Sequence, residues 1–288
     1  MVFHKTDPND ERRRKGRAIA AEAFETAGGV RRRESAGVSV ALDQATLRLL
    51  PAAAYEARFT PAAPMIGFAY DLQEGAHAFA SDRLRPFLTR PNSVAFTPAG
   101  CDVASLSRRG GEYLVLELTG APAREASEQF TDRASPAAAA AALRLRRLLL
   151  AAAPIDRLEL EESAAALREA ALSPTFDLVR AEALTPRRLR RLDAFIEAAL
   201  GEALTVERIA AEMELSSGYL TRALKAAIGM TPHAYLLERR LARARRWITG
   251  STAPLAEIAA ECGFASQAHM TTQMRRRLGA TPAQLRRC

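Results

Sequence analysis

The strongest constraint in this chain is a segment that occurs twice near its C-terminus. Residues 205–232, TVERIAAEMELSSGYLTRALKAAIGMTP, recur as residues 254–282, PLAEIAAECGFASQAHMTTQMRRRLGATP. Ile209-Ala210-Ala211-Glu212 matches Ile258-Ala259-Ala260-Glu261, and Leu215 matches Phe264. One extra residue then falls in the second copy. After it, Leu220 matches Met270, Leu224 matches Met274, and Gly229-Met230-Thr231-Pro232 matches Gly279-Ala280-Thr281-Pro282.

Each copy has the physical logic of a helix-turn-helix. Its first helix carries an Ile-Ala-Ala step, whose small alanines let a second helix cross closely. A short turn follows at Glu214-Leu215 or Gly263-Phe264, and its apolar residue plugs the corner. Ser216 and Ser266 are good N-caps for the second helix. That helix buries Leu220 and Leu224, or Met270 and Met274. Its other side is small and polar, with Arg222, Lys225, Arg275 and Arg276 farther along. Such a helix can enter a major groove N-terminus first and grip phosphate with its capped end. The two units are expected at about 206–227 and 254–277.

Between the copies, residues 232–249 read as one long helix, with Leu237, Leu241, Ala244 and Ile248 on one face and Arg239, Arg240, Arg243, Arg245 and Arg246 on the others. A rigid spacer holds two readers at one separation, which suits successive major grooves ~34 Å apart on one face of a duplex. Thr185 followed by Pro186 reads as an N-cap and first helical position. Leu189, Leu192 and Ile196 keep helical spacing after it, so the C-terminal domain is expected to span 186–288.

The charge supports a polyanionic partner for that domain. Of a formal net charge of +8, residues 186–288 hold 17 Lys and Arg against 9 Asp and Glu, while residues 34–185 hold 15 against 19. A further basic excess, 9 against 5, lies in residues 1–33, which read as a solvated tail. A basic domain beside a slightly acidic one is the electrostatic footprint of nucleic-acid binding. Residues 186–288 are therefore expected to bind DNA by themselves.

The first half reads differently. VSVAL, ATLRLL, MIGFAYDL, SVAFTP and EYLVLEL are apolar segments of strand length, punctuated by Pro51, Pro61, Pro64, Pro91-Asn92 and Gly110-Gly111. They predict a small antiparallel barrel or sandwich over 34–120. Residues 121–185 read as a helical connector, with amphipathic segments at 139–151 and 158–172 broken at Pro154 and Asp156. These Leu-rich helices can form a partner surface or pack on their own barrel. We expect self-association through 121–185, because linking two copies makes a second binding event intramolecular. The alternative is a monomer whose first half acts in cis.

Several function classes are disfavoured. No apolar run reaches the roughly 20 residues of a membrane span. The nearest, at 136–153, is interrupted by Arg144, Arg146 and Arg147. The polar N-terminus lacks the apolar core of a secretion signal, so a cytoplasmic location is expected. Cys101, Cys262 and Cys288 are far apart and form no zinc-type pair. Cys101 has the acidic Asp102 beside it and nothing basic to activate its thiol. His77 has no cluster of His and Glu around it in the sequence of the first half. A metal-dependent enzyme and a DNA-repair protein with a methyl-acceptor cysteine both lose their required groups, so no catalysis, metal or cofactor is expected. A protein partner for the first half is not separated from a small-molecule effector.

The C-terminal region resembles the AraC/XylS family of transcription regulators, through ELSSGYLTRALKAAIGMTP, RRLARARRWI and IAAECGFASQAHMTTQMRRRLGATPAQLR. The resemblance implies an α+β chain: an N-terminal cupin-like β-barrel that senses a ligand or dimerises, a helical connector, and a C-terminal all-α domain of seven helices with two helix-turn-helix units. It implies double-stranded promoter DNA and RNA polymerase as partners, activation as the commoner sign of regulation, and no enzyme activity. Base reading then falls on Ser217, Gly218, Thr221 and Arg222 in the first unit and on Gln267, Ala268, His269 and Thr272 in the second. Phosphate contacts fall on Ser216, Lys225, Ser266, Arg275 and Arg276. The chain departs from the family pattern in places. Gly218 and Ala268 have almost nothing with which to hydrogen-bond, Thr272 replaces a longer basic side chain, and Met270 and Met274 replace bulky aromatics. The second unit is therefore expected to read bases weakly and mainly to position the protein.

Arg222 can hold guanine through O6 and N7; the competing role is a phosphate contact. Gln267 can bond adenine or serve phosphate, and His269 can face DNA or solvent. Trp247 is expected in the core.

Overall fold

The computed structural model describes residues 31–33, 37–120, 128–151, 154–173 and 184–287. The expected basic tail therefore lies outside the described residues except for Arg31–Arg33, as do Cys288 and parts of the connector. The chain is α+β and divides into two compact units: Met1–Thr89 with Ala95–Asp132, and Arg90–Val94 with Arg133–Cys288.

The described residues form eleven strands, nine of them wholly in the first unit and β8 and β11 divided between the two: β1 Arg31–Arg33, β2 Gly37–Ala41, β3 Thr46–Leu50, β4 Tyr55–Phe59, β5 Met65–Ala69, β6 Gln73–Phe79, β7 Arg85–Thr89, β8 Ser93–Thr97, β9 Val103–Ser107, β10 Tyr113–Glu117 and β11 Phe130–Ala134. They do not close into the expected barrel. They form two separate antiparallel sheets, β1-β2-β3-β10-β5-β8-β11 and β4-β9-β6-β7, and no described strand pairs with both. Closure needs one continuous ladder, and here each ladder ends on edge strands of its own.

Alternation sets the faces of the larger sheet. Leu49 pairs with Leu114, which pairs with Phe68, and Leu47 with Leu116, which pairs with Ile66. All six side chains are buried. On the opposite face Arg48 meets Glu117 at 3.0 Å. In the smaller sheet the His77 ring stacks on Phe87 and meets the edge of Phe79, both at 4.8 Å. Burial pushes its pKa down, so the neutral imidazole is favoured there.

The second unit is helical: α1 Pro136–Leu150, α2 Arg157–Leu172, α3 Pro186–Ala198, α4 Val206–Glu212, α5 Ser217–Ile228, α6 Pro232–Gly250, α7 Leu255–Glu261, α8 Gln267–Leu278 and α9 Pro282–Leu285. Thr185 caps α3 with Pro186 at its first position, as the sequence predicts. The hairpin of α1 and α2 is capped by Ser135 and Asp156 and tied by Arg144 to Glu159 at 2.9 Å. Its leucines Leu145, Leu149, Leu160 and Leu167 are buried within the single chain. Leu158, 67% exposed, is the one large apolar side chain of these two helices that is mostly open to solvent.

Candidate nucleic-acid interface

The duplicated sequence folds into duplicated geometry. In the first copy Thr205 caps α4, and the chain turns at Glu214 with φ 57°. The Leu215 amide then donates to the Ala210 carbonyl at 2.9 Å. Ser216 caps α5 by accepting from the Tyr219 amide, and Gly229 ends it in the left-handed conformation at φ 73°. The second copy repeats each later step, although Pro254 precedes α7 without the side-chain cap that Thr205 gives α4. Gly263 turns at φ 75°, the Phe264 amide donates to the Ala259 carbonyl at 2.9 Å, Ser266 accepts from the His269 amide, and Gly279 ends α8 at φ 71°. The extra residue of the second copy is Ala265, between the turn and the cap. Only glycine fits at 263, because a β-carbon there would lie 2.1 Å from the Leu200 carbonyl oxygen.

The core behind each second helix is the predicted one. Leu220 and Leu224 are buried in α5, and Met270 and Met274 in α8. Met270 and Met274 join Leu241, Ala244, Ile248, Ile258, Phe264 and Cys262 in one cluster, against which Trp247 packs. Burial pushes the Cys262 thiol up to about 11.

The candidate contact residues lie on the outward sides. On α5, Ser216, Gly218, Arg222 and Lys225 are exposed, while Ser217 and Thr221 are half-buried. The Thr221 hydroxyl donates to the Ser217 carbonyl at 2.8 Å, which leaves its oxygen as an acceptor. The Arg222 guanidinium reaches back along the helix beside Gly218, where a β-carbon would be 3.7 Å from Nη1. On α8, Ser266, Gln267, Ala268, His269, Thr272, Arg275 and Arg276 are all exposed. Each face thus offers backbone and hydroxyl donors at the helix N-terminus and cations farther along, a set that suits phosphate oxygens and base acceptors. Arg222, Lys225, Arg275 and Arg276 form no ion pair among the described residues.

Sequence reasoning missed two neighbours. Gln273 lies one turn from His269, with Nε2 3.3 Å from the imidazole Nε2. Phe264 meets the same ring edge-on at 5.7 Å. The imidazole is therefore held rather than loose, and the i, i+4 spacing of His269 and Gln273 was the available signal.

The arginines of α6 differ from a uniformly solvated basic face. Arg239 is buried, 3.2 Å from Asp193 and 2.6 Å from Glu197 of α3. Arg240 donates to the Leu200 and Glu202 carbonyls, and Arg246 lies 3.4 Å from Glu197. These charges hold the spacer to α3.

Residues 209–287 match the helix-turn-helix domain family. The chain is 38% identical over 109 residues to the HTH-type transcriptional activator RhaS of Escherichia fergusonii, covering 38% of this chain and 39% of that protein. It is 33% identical over 134 residues to RhaS of Citrobacter koseri, covering 44% of this chain and 48% of that protein. The matched segments thus span less than half the length of these curated relatives. Among solved structures, an AraC-type regulator from Chromobacterium violaceum is 31% identical, with TM-score 0.34, covering 35% of this chain and 90% of that one. The DNA-binding domain of the transcription factor AdpA, solved with a target DNA, is 30% identical, with TM-score 0.34 and the same two coverages.

Proposed function

We propose that this chain, whose C-terminal region is similar to regulators of the AraC type, is a sequence-specific transcription regulator that binds double-stranded promoter DNA. The observation that carries the reading is the repeated geometry: two units with the same turn, the same serine cap and the same left-handed glycine end, joined by the 19-residue α6. At 1.5 Å per residue such a spacer is roughly 28 Å long, comparable to the separation of successive major grooves.

In this reading α5 is the stronger base reader. Arg222 takes guanine, Ser217 accepts or donates beside it and Thr221 accepts, with Gly218 providing space. Helix α8 contributes Gln267, His269 and Thr272 over the small Ala268, and is the weaker reader. Ser216, Ser266, Lys225, Arg275 and Arg276 take phosphates. The chain acts by binding, in the cytoplasm, without catalysis. It works as an activator that engages RNA polymerase, and its N-terminal unit modulates it. No described helix is long and apolar enough to cross a membrane.

Selection of duplexes from a random library by the full-length protein, followed by sequencing, tests this. The expected result is one motif of two segments, bound with an affinity that falls steeply with salt. Failure to enrich any motif, with no binding at low salt, rejects the reading.

A further inference from the structure

The two readers are attached differently: the end of α5 is met by Arg90 and Asn92, which donate to the Ala227 and Ile228 carbonyls at 3.4 and 3.0 Å, whereas α8 is met by a whole helix. Helix α1 packs against α8, and Leu150 at its end joins the core behind that helix. Arg146 of α1 lies 2.8 Å from Glu238 of α6, with side chains 6% and 11% exposed. The other oxygen of Glu238 faces Arg277, in the last turn of α8, at 3.5 Å. One buried carboxylate thus joins three helices: the hairpin, the spacer and the recognition helix.

Backbone contact reinforces the joint. A β-carbon on Gly279, the residue that ends α8, would stand 2.8 Å from the Arg147 carbonyl oxygen and 2.9 Å from its Cγ. At the equivalent Gly229, which ends α5, a β-carbon would meet nothing within 4 Å. The position equivalent to Arg277 in the first copy is Ala227, which has no charge to share.

We propose that α1 is a built-in positioning element of the second reader, in which Arg146 acts through Glu238 to fix the presentation of α8 to DNA, so that the DNA-binding body begins at Ser135 rather than at Thr185. This rests on the DNA-binding reading above. Helix α8 has the poorer set of base-contacting side chains, so its contribution depends on phosphate donors held in place before binding. A rigid mount supplies that preorganisation. Because Glu238 also holds Arg277, this third arginine of the Arg275-Arg276-Arg277 run serves the mount, while Arg275 and Arg276 face outward. Only Ser135 separates β11 from α1.

The test uses full-length protein and a duplex enriched by the wild type. Hydroxyl-radical footprints are taken for wild type, Arg146→Gln, Arg146→Lys and Arg222→Ala, the last to mark the segment read by α5. The expected result for Arg146→Gln is loss of protection over the segment assigned to α8, retained protection over the Arg222-dependent segment, and faster amide hydrogen exchange in α8 with α5 unchanged. Arg146→Lys restores part of the lost protection. Retention of both segments overturns the proposal, and so does equal loss of both, which is the result of general destabilisation. A wild type that enriches no duplex rejects the DNA-binding reading itself, and the positioning role with it.

Discussion

The Tyr235 hydroxyl donates to the Asp193 carboxylate at 2.6 Å, in the buried seam where α6 crosses α3. Arg239 lies against the same carboxylate at 3.2 Å. Tyr235→Phe removes one charge-assisted bond and is expected to cost about 1.5–3 kcal/mol. Asp193→Ala leaves a buried guanidinium short of a partner and costs more, about 3–5 kcal/mol. Trp247 is the single tryptophan and packs on the core of this unit, so its fluorescence in urea reports the transition. A shift in midpoint at unchanged slope measures the loss.

The two helix-ending glycines separate backbone strain from packing. Both sit near the same left-handed φ, 73° at Gly229 and 71° at Gly279. Gly229→Ala carries only the conformational cost, about 1 kcal/mol. Gly279→Ala adds the collision with Arg147, a further 1–3 kcal/mol or so. Equal costs by the same urea titration would mean that α1 does not press on α8.

Charge and base contacts are distinguishable in solution. Arg222→Ala is expected to cost about 1–3 kcal/mol and to relax preference at one base pair, whereas Lys225→Ala should weaken all duplexes alike and lower the salt slope by about 1. Fluorescence anisotropy across a salt series reads both. An unchanged selected motif for Arg222→Ala removes its assignment as a base reader.

Cys262 gives the helical unit an alkaline limit. Its ordinary pKa of 9.0 is raised to about 11 by burial. Between those values the unfolded chain releases the thiol proton first, so stability is intact below pH 9 and declines as pH rises toward 11. The same burial predicts slow alkylation of Cys262 at pH 8 and faster alkylation of the half-buried Cys101, read by mass spectrometry.

The helical domain was legible because duplication, caps and apolar spacing are local signals. Ser216 and Ser266, the turn residues and the buried Leu and Met rows all lie within a few residues of what they organise. The strands were legible only in part. Every segment read as a strand belongs to the larger sheet, whereas YEARF, QEGAHAF, RPFLT and VASLS, which make the smaller one, were not recognised. They are poor in branched apolar residues and include Gly75 and Pro86, so their pairing partners, not their composition, make them strands. The same holds for Arg239 and Arg146. Arginine reads as surface, and their carboxylate partners are 42 and 92 residues away. A leucine stripe on α1 announces burial but does not say against what.

Ala265 has a consequence for the history and the engineering of the two readers. The first helices and turns of the copies correspond at a spacing of 49 residues, and everything from Ser216 and Ser266 onward at 50. Residues 216–231 and 266–281 are therefore cassettes of equal length, each bounded by a capping serine and by the threonine that caps the next helix. They can be exchanged without shifting the numbering of anything between or beyond them. A cut made on the other side of Ala265 moves the downstream helix by one position, roughly 100° of rotation on a 3.6-residue turn, and turns its outward face in another direction.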